Sequence, residues 1–281
     1  MNEFFGTLSS HVKRGILSPV FFICTALTVA MMIFYVRGSY SVVYASGQVS
    51  GLHYFLHLVD LNGTRYLMLM ISSFPAVTLF YEDWTCGAVK FLIPRAGRRK
   101  YSFAVMIASG LTAAALIIIS YMIFSGFVLL KHPIVTNYKT AEDLRYNTIG
   151  FPNSGLLYTG REFLCYLLYF LTRGAMGAFF AVAAVLQSMI ITNKHLTAIS
   201  PVMLYILYFS LNFYCIIPEL LNPFVLFWNG FRLYIIFGGT AEGSLFSPLA
   251  AFYPLVFCIA IIMIFSLAGS IILRIKMNRS I

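Results

Sequence analysis

Residues 102–130 contain no charged side chain, and as a helix rising 1.5 Å per residue they outreach a hydrocarbon core of about 30 Å. Lipid offers no partner to a backbone amide or carbonyl, so this segment is committed to a helix that bonds to itself. Apolar stretches at 19–36, 66–81, 163–192, 198–217 and 249–273 read as spans of the same kind. With 60% hydrophobic and 10% charged residues, the 281-residue chain lacks the polar surface of a soluble protein of that size. The expected fold is an all-α integral membrane protein, with six transmembrane helices in a single domain over 1–281.

An amphipathic helix over 2–17 precedes the first span: Phe4, Phe5, Leu8, Val12, Ile16 and Leu17 recur at helical spacing, with Ser9, Lys13 and Arg14 elsewhere round the wheel. It is expected to lie along the membrane interface. Ser18 and Pro19 then punctuate the chain. Pro75 predicts a kink in the second span. Residues 131–162 form the largest polar loop, placed outside, and 193–195 a tight inner turn. The apolar piece at 220–237 is broken by Asn222, Pro223, Asn229 and Arg232, so it reads as a re-entrant or interfacial hairpin before the last span. Both termini then fall in the cytoplasm, with eleven lysines and arginines inside against seven outside. That is the bias short inner loops carry. The formal charge of +10 therefore serves topology, and nucleic acid is not an expected partner, because the basic residues sit at span ends and not on one exposed face.

The densest basic cluster lies in an elbow at 82–101, between the second and third spans. Glu82 and Asp83 end the second span, Trp84, Ala88, Phe91 and Leu92 repeat at helical spacing, and Pro94 is expected to stop the short helix they form. Arg95, Arg98, Arg99 and Lys100 follow just before the chain re-enters lipid, where they anchor topology and meet anionic headgroups.

With the elbow inside, the chain resembles the membrane-spanning permease subunit of the type-two ATP-binding-cassette (ABC) exporter family. The likeness rests on Glu82, Gly87, Leu92, Arg95, Arg98 and Tyr101 in the elbow, on HVKRGILSPVFF near the start, and on 179–201, where a long apolar helix, a polar turn with Asn193 and a helix beginning near Pro201 follow one another. Ala88, Ala96 and the Val105, Met106 pair depart from the family's pattern. The resemblance implies a permease that pairs with a second permease chain, as a homodimer or heterodimer, and with separate ABC ATPase subunits in a bacterial plasma membrane. ATP and Mg would be bound by the ATPase. It further implies that 84–92 is a coupling helix docking on that partner, with Glu82, Trp84, Gly87, Phe91 and Leu92 as the ATPase-coupling residues.

The residues themselves add limits. No GxxxxGK[ST] phosphate loop is present, so ATP hydrolysis is expected in another chain and this one is read as non-catalytic. The spans carry no paired carboxylates or Ser/His pair, and His53 and His57, one turn apart, have no third ligand fixed by the pattern, so no metal site is expected. Arg173 and Asn212 are the candidate translocation-path residues. Arg173 either faces a central cavity or, if the fourth helix begins later, snorkels to the outer headgroups, and Asn212 is better suited to a bond between helices than to a ligand contact. Gly174, Gly177, Ala178, Ala181 and Ala184 permit close helix approach. The rival class is a membrane sensory or assembly scaffold without an ATPase. An ABC importer permease is the other alternative, for which Glu82, Gly87 and Pro94 mimic the ends of the loop motif while Asp83 and Trp84 replace its alanines.

Overall fold

The computed structural model describes residues 2–45, 64–130, 161–191 and 248–279, with isolated positions at 52, 56, 59, 156, 199, 200, 203 and 206. Among the described residues there are seven helices and no strand: α1 (Asn2–Ile16), α2 (Pro19–Ala45), α3 (Thr64–Thr85), α4 (Ala88–Ala96), α5 (Arg98–Leu129), α6 (Glu162–Ile190) and α7 (Pro248–Arg279). Local chemistry sets the first boundary. Lys13 and Arg14 fall in the last turn of α1, where cations complement the helix dipole, and Glu3 in its first turn. Ser18 then caps α2, its Oγ accepting the Phe21 amide at 3.1 Å, with Pro19 at the first helical position where a missing N–H costs nothing.

Four described helices, α2, α5, α6 and α7, are long and apolar enough to cross a bilayer. Six are not found among the described residues. The expected second span is a helix, α3, which runs through Pro75 without interruption, but it is not one of those four. The reason lies in its composition, with Ser72, Ser73, Thr78, Glu82 and Asp83 among its residues, and its surroundings accommodate it. It packs against α2, α5 and α6 together, so much of its side faces protein, and its buried hydroxyls bond back to the helix, Ser73 to the Met70 carbonyl at 3.0 Å and Thr78 to that of Phe74 at 2.7 Å. A helix enclosed in this way tolerates polarity that a lipid-facing one does not. The expected span at 198–217 lies outside the described residues apart from Ile199, Ser200, Met203 and Ile206, as do Asn193, Asn212, the hairpin at 220–237 and, apart from Leu156 and Arg161, Glu162, the loop at 131–162.

The bundle is built on α5 and α6, the most extensive interface among the described residues. The apolar stretch of α6 is 89% buried, against 17% for that of α7, which makes α6 the central helix and leaves α7 a broad apolar face turned outward. Small residues set the spacing. A Cβ added to Gly174 would lie 2.8 Å from Ile118 Cδ1, and one on Gly177 2.9 Å from Ile117 Cγ1, so the two helices approach as closely as glycine allows. Two apolar cores lie along the bundle. One, around Met32, Tyr121, Phe124 and Tyr169, fills the end away from the elbow; the other, around Phe80, Val89, Ile93, Tyr101 and Met189, fills the elbow end.

α1 is part of the bundle. It packs along α5 with contacts to α3 and α4, burying His11 and Gly15 while Phe5 and Leu17 remain exposed. The side that docks on the bundle is a polar and small-residue stripe, His11 and Gly15, while Phe4, Leu8, Val12 and Ile16 of the apolar face are only half-buried.

Candidate functional site at the elbow

The elbow is a short helix held between two glycines. The last turn of α3 closes with the Cys86 amide bonded to the Glu82 carbonyl at 2.9 Å, and Gly87 follows with φ 71°, a left-handed conformation that costs side-chain-bearing residues about 1–2 kcal/mol. α4 then runs through Pro94 and ends at Gly97, φ 80°, whose amide bonds the Ile93 carbonyl at 2.8 Å. Proline does not stop this helix. It removes only the bond its own N–H would have made, and Gly97 supplies the turn into α5.

The faces of α4 also differ from the expected pattern. Val89, Ile93 and Ala96, spaced four and three apart, are buried in the elbow core, and Leu92 packs at its edge. The opposite stripe is Lys90, Phe91, Pro94 and Arg95, all exposed, with Phe91 74% exposed. Arg98, Arg99 and Lys100 continue this exposed basic surface into α5, and Glu82 is exposed at its other end. Trp84, expected beside Phe91 as a docking residue, is half-buried instead. Its ring stacks on Phe80 at 6.2 Å between centroids, and the Lys276 ammonium of α7 lies 4.7 Å from its ring centre. Trp84 is a packing residue of the elbow core.

Beside it lies a polar node that sequence reasoning missed. Asp83 is 3% exposed, and Arg14 of α1 donates Nη1–H to its Oδ1 at 2.8 Å. His11, one turn earlier on α1, places Nδ1 3.6 Å from Oδ2, too far for a hydrogen bond, and its ring meets the Tyr101 ring edge-on at 5.9 Å. Burial holds the His11 imidazole below its ordinary pKa of 6.5, the Arg14 charge lowers it further, and the attraction of Asp83 offsets these only in part. The node is therefore a neutral histidine beside a carboxylate and guanidinium pair. The one available signal was the three-residue spacing of His11 and Arg14, which places them on one helix face opposite an acid at a span end.

Of the other sequence candidates, Arg173 is 2% exposed inside α6, with its guanidinium carbon 4.8 Å from the Tyr169 ring centre. The helix begins at Glu162, about 16 Å earlier along its axis, so a later start that would free Arg173 to reach headgroups is not what the chain adopts. Asn212, His53 and His57 lie outside the described residues.

Helices of this length and apolarity, stacked side by side with a short basic elbow between two of them, define a multi-pass α-helical membrane protein. No family model matches the chain, and no curated protein or solved structure is similar to it.

Proposed function

We propose that the chain is the permease subunit of an ATP-driven ABC transporter working as an exporter, with α4 as the contact through which a separate ATPase moves the bundle. The observation that carries the reading is α4 itself: an anchored helix, bounded by two glycines of positive φ, that holds an aromatic ring 74% exposed among cations. A ring held out of its own core on a rigid helix is suited to a partner's apolar groove. Force on Phe91 would pass through Val89 and Ile93 to α3 and α5 together, since α4 packs on both.

In this reading the elbow and both termini face the cytoplasm, six segments cross the membrane including α3 and 198–217, and a second permease chain completes the path. Arg95, Arg98, Arg99 and Lys100 meet anionic headgroups beside the docking site. ATP and Mg belong to the partner, and Arg173 is a candidate lining residue. A helix resting on anionic lipid without any ATPase is the reading that the same basic surface would otherwise favour.

Affinity purification of the tagged full-length chain from its native membranes tests this, comparing wild type with Phe91→Glu. Wild type is expected to retain a second chain that hydrolyses ATP, and Phe91→Glu to lose it while its own yield is unchanged. Equal ATPase recovery with both chains, or none with wild type, overturns the reading. Cys86 is exposed on the elbow, so a membrane-impermeant thiol reagent added to intact cells should leave it unlabelled; labelling would place the elbow on the wrong side.

A further inference from the structure

Two adjacent residues at the end of α3 are held by opposite ends of the chain. Asp83 receives the Arg14 guanidinium of α1 at 2.8 Å, and Trp84 carries the Lys276 ammonium of α7 at 4.7 Å from its ring centre. Successive residues on a helix point about 100° apart, so the two contacts grip α3 from different sides. Each gripping helix is also seated on α5, the other arm of the elbow. A Cβ on Gly15 of α1 would lie 2.5 Å from Thr112 Oγ1 and 3.3 Å from Leu79 Cδ1, which leaves α1 no slack between α5 and α3. On α7, a Cβ on Gly269 would lie 2.8 Å from Ser102 Oγ, and that hydroxyl donates to the Ser266 carbonyl at 2.8 Å. α4 joins α3 directly after the gripped turn.

We infer that α1 and α7 form a two-sided clamp on the elbow, so that the end of α3, α4 and the start of α5 move with both terminal helices as one body. This does not depend on what α4 docks against. A lever hinged only on α3 and α5 would leave the two terminal helices as bystanders; a clamped lever makes them part of the moving unit, and loosening either one loosens α4.

Hydrogen exchange on the full-length protein in phosphatidylcholine nanodiscs separates the two. Arg14→Met removes one grip at a side chain already 44% exposed, and Lys276→Met removes the other while keeping an apolar stem. Exchange of the α4 amides, read relative to those of central α6, is expected to rise about tenfold in the first, a charge-assisted bond, and about threefold in the second, a cation–π contact. The amides of α1 in the first and of the last turns of α7 in the second should rise with them, and Arg98→Met, an exposed cation outside both grips, should change none of the three. An α4 rate that stays at the wild-type value while either variant frees its own terminal helix overturns the clamp.

Discussion

Arg14→Ala should destabilise the protein more than Asp83→Asn, although both break the same 2.8 Å contact. The asymmetry comes from exposure: the Asp83 side chain is 4% exposed and that of Arg14 44%. After Asp83→Asn the amide keeps the shape of the carboxylate and a carbonyl oxygen but loses the charge, so the guanidinium is free to turn into water. The loss is then one charge-assisted hydrogen bond, about 1.5 kcal/mol, which exposure of the arginine reduces to about 1 kcal/mol. After Arg14→Ala the carboxylate stays buried, and its nearest basic neighbour is His11, whose charged form burial disfavours. A stranded buried charge costs about 3 kcal/mol, which water entering the space vacated by the half-exposed Arg14 side chain reduces to about 2 kcal/mol. The double variant strands nothing and should fall near about 1 kcal/mol, below Arg14→Ala alone. Titration with dodecyl sulfate in mixed micelles, followed by the fluorescence of Trp84 in the same helical turn, reads these differences as shifts in the unfolding equilibrium of about fivefold and about thirtyfold. Asp83→Asn costing as much as Arg14→Ala, or single effects that simply add, would refute the argument.

Gly174→Ala should cost more than about 1 kcal/mol in the same titration, because its Cβ would meet Ile118 at 2.8 Å, whereas Gly126→Ala, with nothing within 4 Å, should be neutral or stabilising. Gly97→Ala meets no atom within 4 Å either, yet should cost about 1–3 kcal/mol because its φ of 80° with ψ 140° is backbone that a side-chain-bearing residue rarely adopts, so a neutral result would show that the turn relaxes. Docking of α1 should weaken on acidification. Burial lowers the His11 pKa from 6.5, so the contribution is complete above that value and falls as pH drops below it, when the released imidazole takes a proton the docked one refuses. The groups facing His11 are Asp83 of α3, Tyr101 of α5 and Arg14 on its own helix, and only Asp83 opposes this direction. Protection factors of the α1 amides measured at about pH 7.5 and about pH 5.5 should differ in wild type and not in His11→Gln; equal values in wild type reject the effect.

Sequence reasoning went furthest where one physical rule acts alone. The uncharged run beginning at Ser102 has a single solution in lipid, and the structure forms it as α5. Ser18 and Pro19 predicted a boundary, and they form a helix cap. Gly174 and Gly177 predicted close approach, and their contacts to Ile118 and Ile117 supply it. The elbow is legible in place and wrong in face. Trp84 and Phe91 share a helical spacing with Ala88 and Leu92, yet Trp84 packs on Phe80 while Phe91 points away from the core.

What the amino-acid order determined among the described residues is therefore which long segments are helical, the cap at Ser18 and the position of the basic bend, because each follows from backbone bonding and charge within a few neighbouring residues. What only the assembled bundle decided is which side of each helix is covered. In a membrane chain an apolar face is satisfied equally by lipid or by protein, so periodicity cannot choose between them. The choice falls to contacts between residues far apart in the chain: α3 could remain polar once α2, α5 and α6 enclosed it, and Asp83 could be buried once Arg14 reached it from the other end of the first two helices.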